Sequence, residues 1–412
     1  MKVLLLAEVS AVTVIGGAER VLQEQALGLD RLGHQVSAVV RAPVGDERSQ
    51  VTLGMIQEYR YRVSRNHEWG FVLSSVRGSV RALDEAGRGG MPDAAVVHQS
   101  MAGLGPILLR RAAIRGWVYV CHSLAHEEYV TRTKPGTGLL ARVRWAANAQ
   151  VRLRCERIVM RRCARIIVLS EFMKQRVMRV HGIEAERMRV IPGAVDIERF
   201  CPPDDPVAVR DRLNLPQKKV ILFTVRNLVP RMGLDNLLRA LAGLGSARQD
   251  LLLLIGGEGP LRASLQSLID ELGLTQSVRL LGFLPEQDLP LYYQAADLVL
   301  MPTQELEGFG LVTVEALACG TPVLGTPVGA IPEILARVDP RLVAEGSDGP
   351  ALTAALQRTL TRFRDQPGEQ ERLSRLGREL VLTEYHWDRH NRQLDQVLRE
   401  VCGEAGETRQ GR

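Results

Sequence analysis

The sequence predicts an α/β protein built from two doubly wound, parallel-sheet domains, and three observations carry that prediction. Short apolar, β-rich runs alternate with helical patterns from end to end, which is the signature of parallel α/β architecture. The alternation lapses once, from Asp196 to about Pro216, where Pro202, Pro203 and Pro206 stand among acidic neighbours. At 412 residues the chain also exceeds a single typical core, so two domains of roughly 150–200 residues are expected.

In the first half, KVLLLAE (2–8), QVSAVVR (35–41), AAVVHQ (94–99), WVYVCH (117–122), RIIVLS (165–170) and MRVIPG (188–193) read as strands. The first helix follows the Gly16-Gly17 turn, carries Leu22, Ala26, Leu29 and Leu32 at helical spacing and ends at Gly33, a residue suited to a helix C-terminus. The second half restarts with KVILFTV (219–225), LLLLIGG (251–257), VRLLGF (278–283), DLVLMPT (297–303) and TPVLGT (321–326), each followed by a turn and a helix. The expected division is a Rossmann-like domain over 1–195, a linker over 196–216, a second Rossmann-like domain over 217–378, a helix over 379–402 folding back on the first domain, and a polar tail over 403–412.

Composition sets the broad class. Apolar content of 45% and charged content of 24% are ordinary for a globular protein, and no apolar run approaches the ~20 residues of a membrane-spanning helix. The opening MKVLLLAEVS reads as a strand rather than a signal peptide. Six scattered cysteines without paired spacing point to a reducing compartment, the cytoplasm, and away from a disulfide framework or a cysteine zinc site. The formal charge is +6, and ten Lys/Arg against a single acid, Glu156, fall between Arg132 and Arg165. The segment 138–165 reads as a basic amphipathic helix or helix pair. One apolar stripe must pack on the sheet, and an outer face with Trp145 and several arginines would suit anionic lipid at the inner face of a membrane. Nucleic acid is not expected.

Chemistry concentrates in ELEGFGLVTVEALACG (305–320). Two glutamates, Glu307 and Glu315, stand eight apart around Gly308-Phe309-Gly310, where the turn after a buried strand becomes the next helix. Gly310 then lies at a helix N-terminus, where N–H groups and the macrodipole favour an anion. Removing side chains at Gly308 and Gly310 lets that anion approach, and Glu315 is positioned for a ribose diol. Two more glycine-rich strand-to-helix turns, GTPVGAIPEIL (325–335) and IGGEGPL (255–261), repeat the device. Together they argue for a nucleotide site. VIGGAER is not the G-x-G-x-x-G of dinucleotide enzymes, which weakens a dehydrogenase reading.

The run ELEGFGLVTVEALACGTPVLGTPVGAIPEIL resembles the E-x7-E region of the retaining nucleotide-sugar glycosyltransferases of family 4, with the GT-B fold. GGAERVL, VLSEFMKQRV (168–177), VIPGAVDIERF (190–200), LLIGGEGPLR (253–262), LLGFLPEQDLPLYYQAADLVLMPT (280–303) and HWDR (386–389) follow in the family's order. The resemblance implies transfer of a sugar, with retention, from a nucleotide-sugar donor in the second domain to a glycan, lipid-linked or small-molecule acceptor on the first. It implies that Gly16, Gly17, Gly257, Leu284, Phe309, Gly310, Leu311 and Glu315 bind the donor, Leu284 through backbone contacts to the base. It places Glu307 and His122 at the donor sugar.

The nucleoside diphosphate leaves with developing negative charge, which either a carboxylate-held metal or fixed basic groups can meet. The chain has no Asp-x-Asp, so no metal is expected in the transfer step, and no prosthetic group. TVRNLVPRMG (224–233) offers Arg226 and Arg231 for the diphosphate. The resemblance also shows a departure here: the family's usual Arg and Lys fall on Asn227 and Met232. Arg can do the work through its bidentate fork. His122 and His126 stand four apart, a spacing known from zinc sites, but no third ligand is evident, and His126 and Glu127 are instead assigned to the acceptor side. No base–nucleophile pair is visible, which favours a front-face course in which the departing phosphate takes the acceptor proton. Two alternatives remain open: a non-catalytic nucleotide-sugar-binding protein, and another GT-B enzyme such as a sugar-nucleotide epimerase.

Overall fold

A computed structural model describes residues 1–12, 16–64, 67–133 and 135–410. It divides into two units, one formed by 1–192 with the chain from Trp387 onward, the other by Gly193–His386.

The first unit contains β1 (Lys2–Ala7), α1 (Gly17–Arg31), β2 (Gln35–Arg41), β3 (Gln50–Leu53), β4 (Ile56–Tyr61), α2 (Glu68–Ala86), β5 (Ala94–Val97), α3 (Ser100–Leu109), β6 (Gly116–Cys121), α4 (Ala125–Arg132), α5 (Leu139–Arg162), β7 (Arg165–Val168), α6 (Glu171–His181) and β8 (Met188–Val190). These strands form one sheet in the order β3-β4-β2-β1-β5-β6-β7-β8. It is parallel except for the β3–β4 edge pair. Both faces are covered, as a parallel sheet requires. Along β1, Leu4 and Leu6 join a core with Leu83 of α2, Ile107 of α3 and Val159 of α5. The intervening Val3, Leu5 and Ala7 join Leu22 and Leu29 of α1 on the other face, the period of two that a strand imposes. Helix α1 closes as its sequence predicts: Gly33 takes a φ of 83°, and His34 N donates to Leu29 O at 3.1 Å.

The antiparallel pair β3–β4 was not legible in the sequence. Glu58 and Arg60 suggest a solvent-facing segment, yet both are buried. Arg60 Nε bonds Glu58 Oε1 at 2.6 Å, and Glu58 also accepts from Ser10 Oγ at 2.8 Å and Ala11 N at 3.0 Å. The pair thereby anchors the loop that leaves β1.

The second unit contains α7 (Pro206–Arg212), β9 (Val220–Val225), α8 (Leu234–Gly243), β10 (Leu251–Gly256), α9 (Arg262–Glu271), β11 (Val278–Gly282), α10 (Leu289–Ala295), β12 (Leu298–Met301), α11 (Leu311–Ala318), β13 (Val323–Gly325), α12 (Ile331–Val338), α13 (Gly349–Asp365) and α14 (Glu369–Glu384). Its sheet is fully parallel, in the order β11-β10-β9-β12-β13. The order reverses between β9 and β12, and in such sheets the crevice outside the strand ends at that point is where ligands bind.

Two expected boundaries are corrected. The stretch 196–216 is not a separate linker: it belongs to the second unit. Asp205 caps α7 through Val207 N at 2.9 Å, Arg210 pairs with Asp297 at 2.7 Å, and Phe200 is buried. Likewise 379–402 is not one helix. Helix α14 stops at Glu384 because Tyr385 O accepts from Val195 N at 2.8 Å instead of continuing the helical ladder. Helix α15 (Trp387–Gln410) then joins the first unit, where Leu394, Val397, Leu398 and Val401 complete the core shared with α1. The tail expected over 403–412 is helical through Gln410, and residues 411–412 lie outside the described residues.

Candidate functional site

At the reversal point of the second unit, the loop after β9 supplies Arg226 and the loop after β12 supplies Thr303 and Glu307. The buried Arg226 guanidinium donates to both Thr303 Oγ1 and Glu307 Oε2. Its Nε is also buried and has no hydrogen-bond partner among the described residues, an expensive state for a cation's donor. Residues 81 apart in sequence are thus brought into one ion pair. Two neighbouring devices shape the Glu307 loop. Leu306, which is not glycine, adopts a φ of 57°, and Arg231 Nη1 holds its carbonyl at 3.1 Å. Gly329 packs so closely that a Cβ there would lie 2.1 Å from Glu307 O. The second glycine-rich turn therefore buttresses the first.

Helix α11 starts at Leu311 with Gly310 as its N-cap, at φ 88° and ψ 62°. The buried Thr313 Oγ1 in this first turn has no partner among the described residues, a feature the sequence did not reveal. Glu315 is buried and accepts from Tyr293 OH at 2.8 Å.

Packing constrains two of the assigned residues. Phe309 is 5% exposed, packed edge-on against Tyr385 and against Gly193, so only its main chain is available to a ligand. Gly257 donates its N–H to Gly282 O at 2.7 Å. A Cβ on Gly257 would fall 2.0 Å from Arg226 O, so this glycine allows the close approach of two loops. Met232 is buried in the core with Leu228 and Leu234, whereas Asn227 is exposed. Neither position carries a cation. Leu284, half-buried after β11, rests its side chain over Gly256.

In the first unit Gly16 is the exposed N-cap of α1 and Gly17 its first residue, with no side-chain cap. Residues 13–15 of that turn lie outside the described residues. His122 follows β6, and its Nε2 lies 3.0 Å from Nδ1 of the buried His98, the rings stacked at 5.3 Å. Burial pushes His122 down to about 4, with His390 adding to the shift, and burial holds His98 well below the usual imidazole range. Both rings are neutral near pH 7. His390 of α15 is likewise pushed down to about 4 by burial; it bonds Pro192 O at 2.7 Å and the Gln25 amide at 2.8 Å. The sequence marked His122 but not its partner His98. Glu127, assigned to the acceptor side, pairs with Arg176 at 2.6 Å.

The basic segment forms the single helix α5. Its C-terminal half buries Ala149, Cys155, Glu156, Val159 and Met160. Trp145 does not share the outer face with the arginines: its Nε1 bonds Thr133 Oγ1 at 2.9 Å beside Tyr129. The exposed apolar residues are Leu139 (78%), Leu140 (81%) and Val143 (56%), interleaved with exposed Arg142 and Arg144. Lys134, just before this helix, lies outside the described residues.

Comparison with known proteins gives matches in both halves. A model described as "Glycosyltransferase Family 4" matches residues 15–199, and one described as "Glycosyl transferases group 1" matches residues 208–379. The chain is 34% identical over 216 residues to the GDP-mannose-dependent monoacylated alpha-(1-6)-phosphatidylinositol monomannoside mannosyltransferase of Corynebacterium glutamicum, covering 50% of this chain and 55% of that protein. It is 34% identical over 233 residues to the 2-deoxystreptamine glucosyltransferase of Streptomyces kanamyceticus, covering 56% and 59%. The matched stretch spans little more than half the length of these curated relatives. In fold, the sucrose-phosphate synthase of Thermosynechococcus elongatus matches with a TM-score of 0.79 at 22% identity over 98% of this chain and 100% of that one. WaaG, a glycosyltransferase involved in lipopolysaccharide biosynthesis, matches at 0.72 and 20% over 96% and 99%. Both likenesses concern the GT-B fold alone. With its two halves matched in turn by these models, the chain belongs to the family 4 glycosyltransferases.

Proposed function

We propose that the protein transfers a glycosyl group, with retention, from a nucleotide-sugar donor to a glycan, lipid-linked or small-molecule acceptor, without a metal ion in the transfer step. The observation that carries this reading is Arg226: a buried cation bound to Glu307 and Thr303, with an unpartnered Nε, at the reversal point of a nucleotide-type sheet. In this reading the diphosphate meets Arg226, Arg231 and the N-terminal end of α11, where charge developing on the leaving oxygen is stabilised without solvent reorganisation. The ribose is assigned to Glu315. Gly16, Gly17, Gly310 and Leu311 approach the phosphates through main chain, and Leu284 the base. Glu307 and the neutral His122 serve sugar hydroxyls, and the departing phosphate accepts the acceptor's proton on the same face.

The names of the relatives suggest which substrates to try first. Release of nucleoside diphosphate is to be measured with GDP-mannose, UDP-sugars and ADP-sugars, with and without inositol-containing and aminocyclitol acceptors. Acceptor-dependent release with one donor is the expected result. A second reading, a nucleotide-sugar-binding protein without turnover, is favoured by the lack of a cation at Asn227 and Met232. Donor binding without release under every condition would establish that reading instead.

Among the described residues no helix is long and apolar enough to cross a membrane. We assign the start of α5 to peripheral contact with an anionic bilayer on the cytoplasmic side. Leu139, Leu140 and Val143 offer exposed apolar area between arginines, the combination that binds anionic interfaces. Replacing Leu139 and Leu140 by aspartate is expected to lower partitioning onto anionic vesicles at least ~10-fold, since burying each leucine is worth about 1.5–3 kcal/mol. Sedimentation at two salt concentrations checks this. Equal binding to neutral vesicles, insensitive to salt, would overturn the assignment.

A further inference from the structure

Glu156 is the one acid in the basic segment. Glu156 lies on α5 with its side chain fully buried, as is that of His181, the last residue of α6. A helix that only had to pack would carry an apolar residue there, because a buried carboxylate is costly unless every lone pair is used. Glu156 accepts from Tyr119 OH at 2.9 Å, from Ala125 N at 3.2 and 3.3 Å, and from His181 Nε2 at 3.0 Å. His126, the second residue of α4, completes the group: one ligand atom from each of His126, Glu156 and His181 lies within 4.8 Å of the others. Nδ1 of His126 and Nδ1 of His181 are both buried with no hydrogen-bond partner among the described residues. Behind His126, Nε2 faces Glu127 Oε1 at 3.9 Å, and that carboxylate is fixed by Arg176.

We infer that His126, Glu156 and His181 form a binding site for one first-row divalent metal ion of the zinc class, separate from the sugar-transfer step. Two imidazoles and one carboxylate are a zinc donor set that leaves the fourth position to water. The 3.0 Å between His181 Nε2 and Glu156 Oε2 is close to the ~3.3 Å edge of a tetrahedron with ~2.0 Å bonds. A carboxylate behind a ligating histidine, the place Glu127 takes behind His126, orients the ring and raises its basicity. On binding, His181 carries its single ring proton on Nδ1, which frees the Nε2 lone pair for the ion; no net proton is lost, Glu156 keeps its charge, and Tyr119 continues to donate to the other carboxylate oxygen. The ion would tie together α4, α5 and α6. Because α4 begins three residues after His122, it would also fix the loop that carries that histidine.

The test uses the full chain, stripped with a chelator and titrated with cobalt(II), without donor or acceptor, so that its outcome is independent of whether transfer occurs. The expected result is one equivalent bound, with the visible absorption of a tetrahedral cobalt site, displaced by zinc. His126→Ala, at a half-buried position that leaves the core intact, is expected to weaken cobalt binding at least ~100-fold and to abolish the rise in Tm that zinc gives the wild-type chain. His181→Gln serves as the second variant. No cobalt band in the wild-type chain, or a band of the same affinity in a folded His126→Ala variant, would overturn the inference.

Discussion

Replacing Arg226 by alanine is expected to lower the turnover of sugar transfer by about 10²–10³-fold, the usual cost of deleting one preorganised donor at developing charge. The expectation follows from what Arg226 touches. Its guanidinium holds Glu307 and Thr303 together, so its loss leaves Glu307 without its ion pair and, under the function proposed above, the diphosphate without a cation. The Glu307 side chain is 14% exposed, and stranding a carboxylate at that depth should also cost about 2 kcal/mol of stability, below the 3–5 kcal/mol of a fully buried pair. Arg226→Lys should recover little, because one nitrogen, Nη2, donates to both Thr303 and Glu307, and a lysine ammonium ends one bond short of that position. Arg231→Ala should be milder, since the described contact of its guanidinium is with the Leu306 carbonyl. Steady-state kinetics of nucleoside diphosphate release, with urea midpoints for the same variants, check the ranking. An Arg226→Ala enzyme within threefold of wild type would remove Arg226 from the mechanism.

The second large effect is on acid stability of the first unit. His122 and His390 are pushed down to about 4, both chiefly by burial, while their unfolded forms titrate near 6.5. Between those values the unfolded chain binds more protons than the folded one, so stability rises with pH there. It is fully present above about pH 6.5, declines as pH falls toward 4, and levels off below that. Each histidine contributes up to about 3 kcal/mol across this window, and His98, lowered in the same direction, adds to the trend. The groups facing the three rings are one another, the Trp387 ring, the Pro192 carbonyl and the Gln25 amide. All four tryptophans, at 69, 117, 145 and 387, belong to this unit. Tryptophan fluorescence therefore follows its urea midpoint from pH 7.5 to 4.5. A midpoint independent of pH across that range would show that the rings are not buried as described.

The parallel strands were legible because strands covered on both faces must be nearly continuous apolar runs, and LLLLIGG or DLVLMPT admit few other readings. The reversal-point loops were legible because glycine at positive φ and close backbone approach leave a compositional trace, as at Gly310 and Gly329. What escaped was polar pairing across long sequence separations. Glu58 and Arg60 look solvent-facing until each is seen to satisfy the other. Glu156 looks like an interruption in a basic stripe until His181 and Tyr119 converge on it. Arg226 and Glu307 were both named, but for separate tasks, since no local pattern announces a pair 81 residues apart. The break at Tyr385 depends on a carbonyl captured by Val195, which is likewise invisible to helical periodicity.

The return of α15 to the first unit has a consequence for how the chain matures. Asn391 is set so tightly against α1 that a Cβ on Gly28 would meet its amide at 1.9 Å, and Leu394 and Leu398 seal the same core. During synthesis, everything from Gly193 to His386 leaves the ribosome before this lid does. Until then the N-terminal sheet has α1 but not α15 on that face. A stop codon anywhere between the two would strand that flank in water and make the fragment a client for chaperones.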